Sequence, residues 1–170
     1  GLVFGAQEKK FATAHEEKTV KVWDFATLTI ERKLEGHGSD VQTVDWHPSK
    51  SLLASGGKDR LLKFWDPVSG RNICNLFNHT NTITKVRFNK NEHFLAATGK
   101  DQLIRLYDIR MMKEFFVFRG HNSEVTDFEW HPLHENHCLS TDSEGKLCYW
   151  VYPYDVVSDI QFHEKDVQVF

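Results

Sequence analysis

The sequence predicts an all-β protein of about four four-stranded antiparallel units, on three observations. Trp23-Asp24, Trp65-Asp66 and Tyr107-Asp108 stand 42 residues apart. Gly36-His37, Asn78-His79 and Gly120-His121 keep the same spacing of 42, and Phe162-His163 follows 42 further on. Between these anchors lie only short apolar stretches divided by turn residues, which leave no room for a long helix. Two sets of anchors on one period mark a stacked repeat. Trp150 follows Tyr107 by 43 and lacks the acid. The extra residue is located between Pro132 and Ser140, eight steps apart where Pro48 and Ser55 are seven.

Each unit divides into four strands. The first, Val41–Trp46 in the second unit, is apolar at Val41, Val44 and Trp46. The same offsets recur at Ile83, Val86 and Phe88, and at Val125, Phe128 and Trp130. A step of three followed by a step of two breaks strict alternation and predicts a β-bulge. Residues 52–56, 61–65 and 71–76 supply the other three strands. His47-Pro48, Gly56-Gly57 and residues 67–70 separate them as turns. Residues 28–34 have a helix-like pattern, but their register in the repeat makes them a fourth strand. The units are approximately 1–34, 35–76, 77–118 and 119–161, with 162–170 opening a further one. At the ends, Leu2 corresponds to Val44, and 166–170 match 124–128, so Phe170 stops at the repeat position where Leu2 begins.

Composition bounds the function. The 170 residues carry 21 Lys+Arg and 24 Asp+Glu, a net charge of −3, which excludes nucleic-acid binding by bulk charge alone. At 40% hydrophobic and 13% aromatic residues the chain is not of disordered type. Its apolar runs are too short for a membrane span or a signal-peptide core, so no membrane partner is expected. Cys74, Cys138 and Cys148 do not form a disulfide framework, and a reducing intracellular compartment is expected. The chain begins at Gly1 and is expected to be a fragment.

Gly-His, then Ser-x-x-x-Asp, then Trp-Asp at this period resembles the WD40 repeat. The resemblance covers essentially the whole chain. It implies a β-propeller fragment with four-stranded blades around an axis, and a His–Ser/Thr–Asp–Trp hydrogen-bond network within each blade. His37, Ser55, Asp59 and Trp65 match all four positions. His121, Ser140 and Trp150 match three, with Glu144 in the acid position. His79 and Asp101 match two, with Ala97 and Tyr107 in place of Ser and Trp. The first unit offers Thr13, Glu17 and Trp23, and its His would precede Gly1.

Competing chemistries fare worse. A Ser/His/Asp set suits a hydrolase, but this one recurs blade after blade and lacks a nucleophile elbow or oxyanion loop. No enzyme activity is expected, and no catalytic residue is assigned. His131, His134, His137 and Cys138 invite a zinc reading. His131-Pro132 simply repeats His47-Pro48, where no such cluster exists, so neither metal nor cofactor is expected. Asn78-His79-Thr80 fits a glycosylation sequon as a by-product of the repeat. Gly56-Gly57-Lys58-Asp59 and Gly99-Lys100-Asp101 lack the spacing and helix of a phosphate loop and read as tight turns. Lys58 and Lys100 are equivalent positions one blade apart. With Arg60 and Gln102 they form a candidate binding rim for an acidic partner or a phosphate backbone.

A closer resemblance adds detail. Residues 11–25, 34–48, 63–70, 106–113 and 118–135 are similar, in wording and in order, to the WD-repeat subunit family of the mRNA 3′-end cleavage and polyadenylation machinery. That implies a nuclear, non-catalytic scaffold and recognition subunit working with other subunits of the cleavage and polyadenylation specificity complex. RNA contact is expected through N-terminal parts outside this chain, so no RNA-contact residue is assigned. The alternative is a WD40 adaptor for short peptides in another complex, such as a signalling or ubiquitin-ligase receptor. Four repeats fall short of the usual seven-bladed ring. Two copies closing an eight-bladed ring, each tail completing its partner's first blade, is a further expectation.

Overall fold

A computed structural model describes residues 1–5, 9–152 and the backbone of 167–169. The repeat becomes four antiparallel sheets in chain order. The first is β1 (Leu2–Phe4), β2 (Lys10–Ala14), β3 (Thr19–Asp24) and β4 (Ile30–Glu35). The second is β5 (Val41–Trp46), β6 (Leu53–Gly57), β7 (Leu62–Trp65) and β8 (Asn72–Leu76). The third is β9 (Ile83–Phe88), β10 (Phe94–Gly99), β11 (Ile104–Asp108) and β12 (Lys113–Phe118). The fourth is β13 (Val125–Trp130), β14 (His137–Asp142), β15 (Leu147–Val151) and β16 (Val167–Val169). The all-β, four-bladed expectation is borne out, and no described residue is helical.

The expected bulge is present. Pairing of β5 with β6 skips Gln42, and pairing of β13 with β14 skips Thr126. In the third sheet the shift falls between Thr98 and Gly99, which skips Thr84. These three positions are 42 apart, so one repeated irregularity bends β5, β9 and β13 alike.

One segment differs from expectation. Residues 162–170 were expected to open a further blade. Val167–Val169 instead pairs antiparallel with β15, with Trp150 opposite Val167 and Cys148 opposite Val169. The physical reason is edge satisfaction: without β16, the Trp150 strand would leave a row of backbone groups unpaired. His163, Asp166 and Phe170, on which the expected match also rested, lie outside the described residues.

Each strand has two faces, and both are used. Leu53 and Trp65 pack toward the first sheet against Ala12, Val20, Val22 and Leu34. Their neighbours Ala54, Leu62 and Phe64 pack toward the third, against Ile83, Val86 and Leu95. A third layer joins Ala96, Ile104 and Leu106 to Phe128, Trp130 and Trp150. The core is thus three slabs between successive sheets, built by period-two alternation. The innermost strands β1, β5, β9 and β13 are side by side. Outer faces remain at both ends. On the first sheet, Phe11 stacks on Trp23 at 5.8 Å while Leu2, Phe4 and Phe25 stay exposed. On the fourth sheet, Leu139 and Leu147 are exposed.

Candidate functional site

The repeated histidines meet the repeated serines where the β4–β5 link crosses the end of β6. In the second blade, Trp65 Nε1–H donates to Ser55 Oγ at 2.8 Å, and Ser55 Oγ meets His37 Nε2 at 2.7 Å. His37 Nδ1 meets Asp59 Oδ2 at 2.8 Å. The carboxylate fixes the proton on Nδ1, so Nε2 accepts the serine hydroxyl. Asp59 also accepts from the backbone N–H groups of Gly38 and Leu61. Burial would raise its carboxyl, but the hydrogen bond and charge of His37 and those two amides outweigh it, and it titrates below the usual carboxylate range. Ser55 is fully buried and its oxygen is capped by the indole, so no substrate carbonyl can reach it. The arrangement pins a link to a blade; it does not present a nucleophile.

The fourth blade repeats this with one correction. His121 Nε2 meets Ser140 Oγ at 2.6 Å, and Trp150 Nε1–H donates to the same oxygen at 2.6 Å. The acid is Asp142, at 2.8 Å from His121 Nδ1, and not Glu144. Asp142 stands two residues after the serine, where the second and third blades carry Gly57 and Gly99. A Cβ built on Gly99 would lie 3.1 Å from His79 Nδ1, so that position abuts the histidine. A carboxylate rooted there needs less reach than one four residues on. It turns its other oxygen to the Glu144 and Lys146 amides.

The third blade forms half a network. His79 Nδ1 meets Asp101 at 3.1 Å. Ala97 removes the serine oxygen, and among the described residues neither His79 Nε2 nor Tyr107 Oη has a partner, although both are buried. In the first blade, Trp23 Nε1–H donates to Thr13 Oγ1 at 2.8 Å, and His15 Nε2 meets that oxygen at 2.7 Å. His15 occupies the Asp142 position, and its ring meets the hydroxyl oxygen as His37 and His121 do in their blades. Glu17 is instead drawn to Lys21 at 3.2 Å.

The candidate rim is largely self-neutralised. Lys58 Nζ pairs with Asp40 at 2.6 Å, and Lys100 Nζ pairs with Glu124 of the next blade at 2.7 Å. Arg60 and Gln102 both have φ 66°, and their N–H groups close the turns onto Gly57 and Gly99 carbonyls. The histidine cluster is a folded loop. His131 Nδ1 accepts from the backbone N–H of Leu133 and His134, and His137 Nδ1 faces the Tyr149 hydroxyl. Cys138 is buried in the core slab, where desolvation pushes its thiol well up. Among the described residues no group of three His, Cys, Asp or Glu side chains is placed to hold a metal.

Sequence reasoning missed a second set of repeated contacts, which joins blades. Val86 N–H and Phe88 N–H donate to Thr43 Oγ1 and Asp45 Oδ2 of the preceding blade. Arg87 lies between Asp45 at 3.6 Å and Glu129 at 3.3 Å, and Lys85 pairs with Asp127 at 2.8 Å. Asp45, Arg87 and Glu129 are 42 apart, as are Thr43, Lys85 and Asp127. His47 Nε2 and Asn89 Nδ2, again 42 apart, reach loop carbonyls of the next blade at Glu92 and Glu135. The period was the available signal. It went unread because residue types change from blade to blade while the positions do not.

Comparison with known proteins fits this geometry. The family model described as WD domain, G-beta repeat matches residues 28–66, 70–108 and 112–150. Each match takes the outer strand of one sheet and the three inner strands of the next. A 40-residue stretch is 60% identical to polyadenylation factor subunit 2 of Gibberella zeae, covering 24% of this chain and 6% of that protein. A 44-residue stretch is 48% identical to the protein of that name from Neurospora crassa, covering 26% and 7%. A 60-residue stretch is 37% identical to protein transport protein sec13 of Aspergillus clavatus, covering 31% and 20%. The matched stretches therefore span less than a quarter of each relative.

Proposed function

The chain belongs to the WD40 repeat family, and from that premise we propose that it is a non-catalytic scaffold of pre-mRNA 3′-end cleavage and polyadenylation, acting in the nucleus. The 60% identity to polyadenylation factor subunit 2 is the observation that carries the assignment beyond the family. Its partners are other subunits of the cleavage and polyadenylation specificity complex, and RNA contact falls outside these four blades. Lys58 and Lys100 would meet an acidic partner surface by exchanging Asp40 and Glu124 for its carboxylates. The geometry supports a scaffold, because the Ser–His–Asp sets among the described residues are buried and repeated.

Affinity purification of the tagged chain from its own cells tests the assignment. Recovery of polyadenylation-factor subunits is expected, and loss of one by Lys58→Glu/Lys100→Glu would assign the rim. Recovery of protein-transport or ubiquitin-ligase subunits in their place overturns the reading. The two outer faces also suit a second copy. By repeat position, Leu139, Leu147 and Tyr149 of one chain would meet Leu2, Phe4, Phe11 and Trp23 of the other, as Ala54, Leu62 and Phe64 meet the third sheet. An eight-bladed dimer of this kind sediments at twice 19.8 kDa at micromolar concentration. A monomer mass there excludes it.

A further inference from the structure

Antiparallel strands place successive connections at alternate ends of a blade. The β4–β5 and β6–β7 links, with the network and the rim lysines, occupy one end. Gly5 and Lys9, at the ends of β1 and β2, and the β5–β6 and β7–β8 connections occupy the other. There a cleft of about 260 Å³ opens between the first and second blades. Its basic side chains are Lys9, Lys10 and Lys50, from two different blades. Lys10 is shared with Glu31 at 2.7 Å. Lys9 and Lys50 are exposed and make no ion pair among the described residues. This contrasts with Lys58 and Lys100 at the far end, each closed by its own acid.

The rest of the lining is apolar and hydroxylic. Pro67 is buried, Val68 is 59% exposed, and half-buried Trp46 completes the apolar part. Ser49 and Ser51 flank Lys50 with hydroxyl donors. We propose that this cleft binds an acidic peptide segment carrying one apolar side chain, with its carboxylates on Lys9 and Lys50 and the apolar group against Val68 and Trp46. Charge complementarity selects the carboxylates, and the exposed valine selects an apolar neighbour.

Single-stranded RNA suits the cleft less well. It would need an open aromatic face for a base, and the one aromatic lining residue among those described, Trp46, is half-buried and packed on its neighbours. The Gly5 backbone lies close to its ring, where a Cβ would come within 3.3 Å of the indole. Trp46 also packs against the slab of the first and second blades. Among the described residues no arginine lines the cleft, and the chain's net charge of −3 adds no long-range attraction for phosphate.

The test is a ¹⁵N amide-shift titration of the whole chain with three probes. These are acetylated Glu-Glu-Leu-Glu-Glu-Leu, its Lys-for-Glu counterpart, and hexauridylate RNA. Saturable shifts confined to Lys9, Lys50, Trp46 and Val68 are expected with the acidic peptide alone. Lys9→Glu/Lys50→Glu should weaken it roughly tenfold or more, and Lys113→Glu on an outer strand should not. Should the double reversal not fold, Lys9→Gln/Lys50→Gln replaces it with the same expectation. Absence of saturable shifts, shifts centred elsewhere, equal binding of the basic peptide, preference for the RNA, or indifference to the double variant each overturns the proposal.

Discussion

Ala97 stands where Ser55 and Ser140 stand in the flanking blades, and the consequence can be measured. His79 Nε2 and Tyr107 Oη are buried with no protein partner among the described residues. A hydroxyl at 97 would supply His79 with the donor that Ser55 supplies to His37. Ala97→Ser should stabilise the chain by about 1 kcal/mol, the net contribution of a buried hydrogen bond gained where a polar atom was unsatisfied. A lowered midpoint in urea, with the slope unchanged, would show instead that the slab between the second and third blades cannot admit the oxygen. Asp45 offers the second residue-scale test. Burial raises its carboxyl from 3.8 to about 6, against the pull of the Phe88 N–H and Arg87. The native state therefore holds a proton that the unfolded chain releases at lower pH. This contribution to stability is complete below about pH 4 and is lost as pH rises through 6. Relative to Asp45→Asn, the natural chain should lose up to about 3 kcal/mol between those limits and stay level above pH 7. Asp59 and Asp142, held below their usual range, act oppositely: their stabilisation is lost as pH falls through their native values. The difference between the two chains removes that background. A difference that is flat from pH 4 to 7 would mean that Asp45 is ionised throughout.

At the scale of elements, the turns repeat as faithfully as the strands. Lys18, Arg60, Gln102 and Gly145 all have positive φ at one repeat position, between the second and third strands. Leu28, Gly70 and Met112 do so between the third and fourth, at φ 53°, 77° and 49°. Only glycine enters that region without a Cβ penalty. Met112→Gly should accordingly be neutral or stabilising by up to about 1 kcal/mol, where the same change inside a strand would cost as much. A clear loss would mean that the packing of Met112 on the slab of the second and third blades outweighs the strain, since its side chain does touch that slab. Strand positions and the bulge were legible in the sequence because each rests on a local pattern repeated with one period. The placement of Val167–Val169 was not, because a Val-Gln-Val segment fits an inner or an outer strand equally and only the open edge of β15 decides. The Asp142 substitution was hidden for a related reason. The insertion before Ser140 breaks the frame, and counting four residues from the serine assumes a turn that the fourth blade builds differently. His15 was invisible on the same account, since a histidine partner for Thr13 was sought only at its usual repeat position.

For the molecule as a whole, repeat architecture predicts a gradient of stability. The second and third blades are covered on both faces by apolar slabs, whereas the first and fourth each have one outer face among the described residues. Stability in such a stack is approximately a sum of unit and nearest-neighbour contributions. The inner blades also hold the cross-blade ladder, with Arg87 between Asp45 and Glu129. Amide exchange in β6 and β10 should thus be slower than in β2 and β14. A single slab buries several large side chains, so the gap in opening free energy should be at least about 2 kcal/mol, or roughly thirtyfold in protection. Dilution separates the two ways the ends can be covered. If a second copy closes an eight-bladed ring, the gap vanishes at high concentration and reappears as the sample is diluted. If the chain stays a single four-bladed arc, the gap is the same at every concentration. Equal protection in all four blades, independent of concentration, would contradict both and show that the arc unfolds as one cooperative unit despite its exposed Leu2, Phe4 and Phe25.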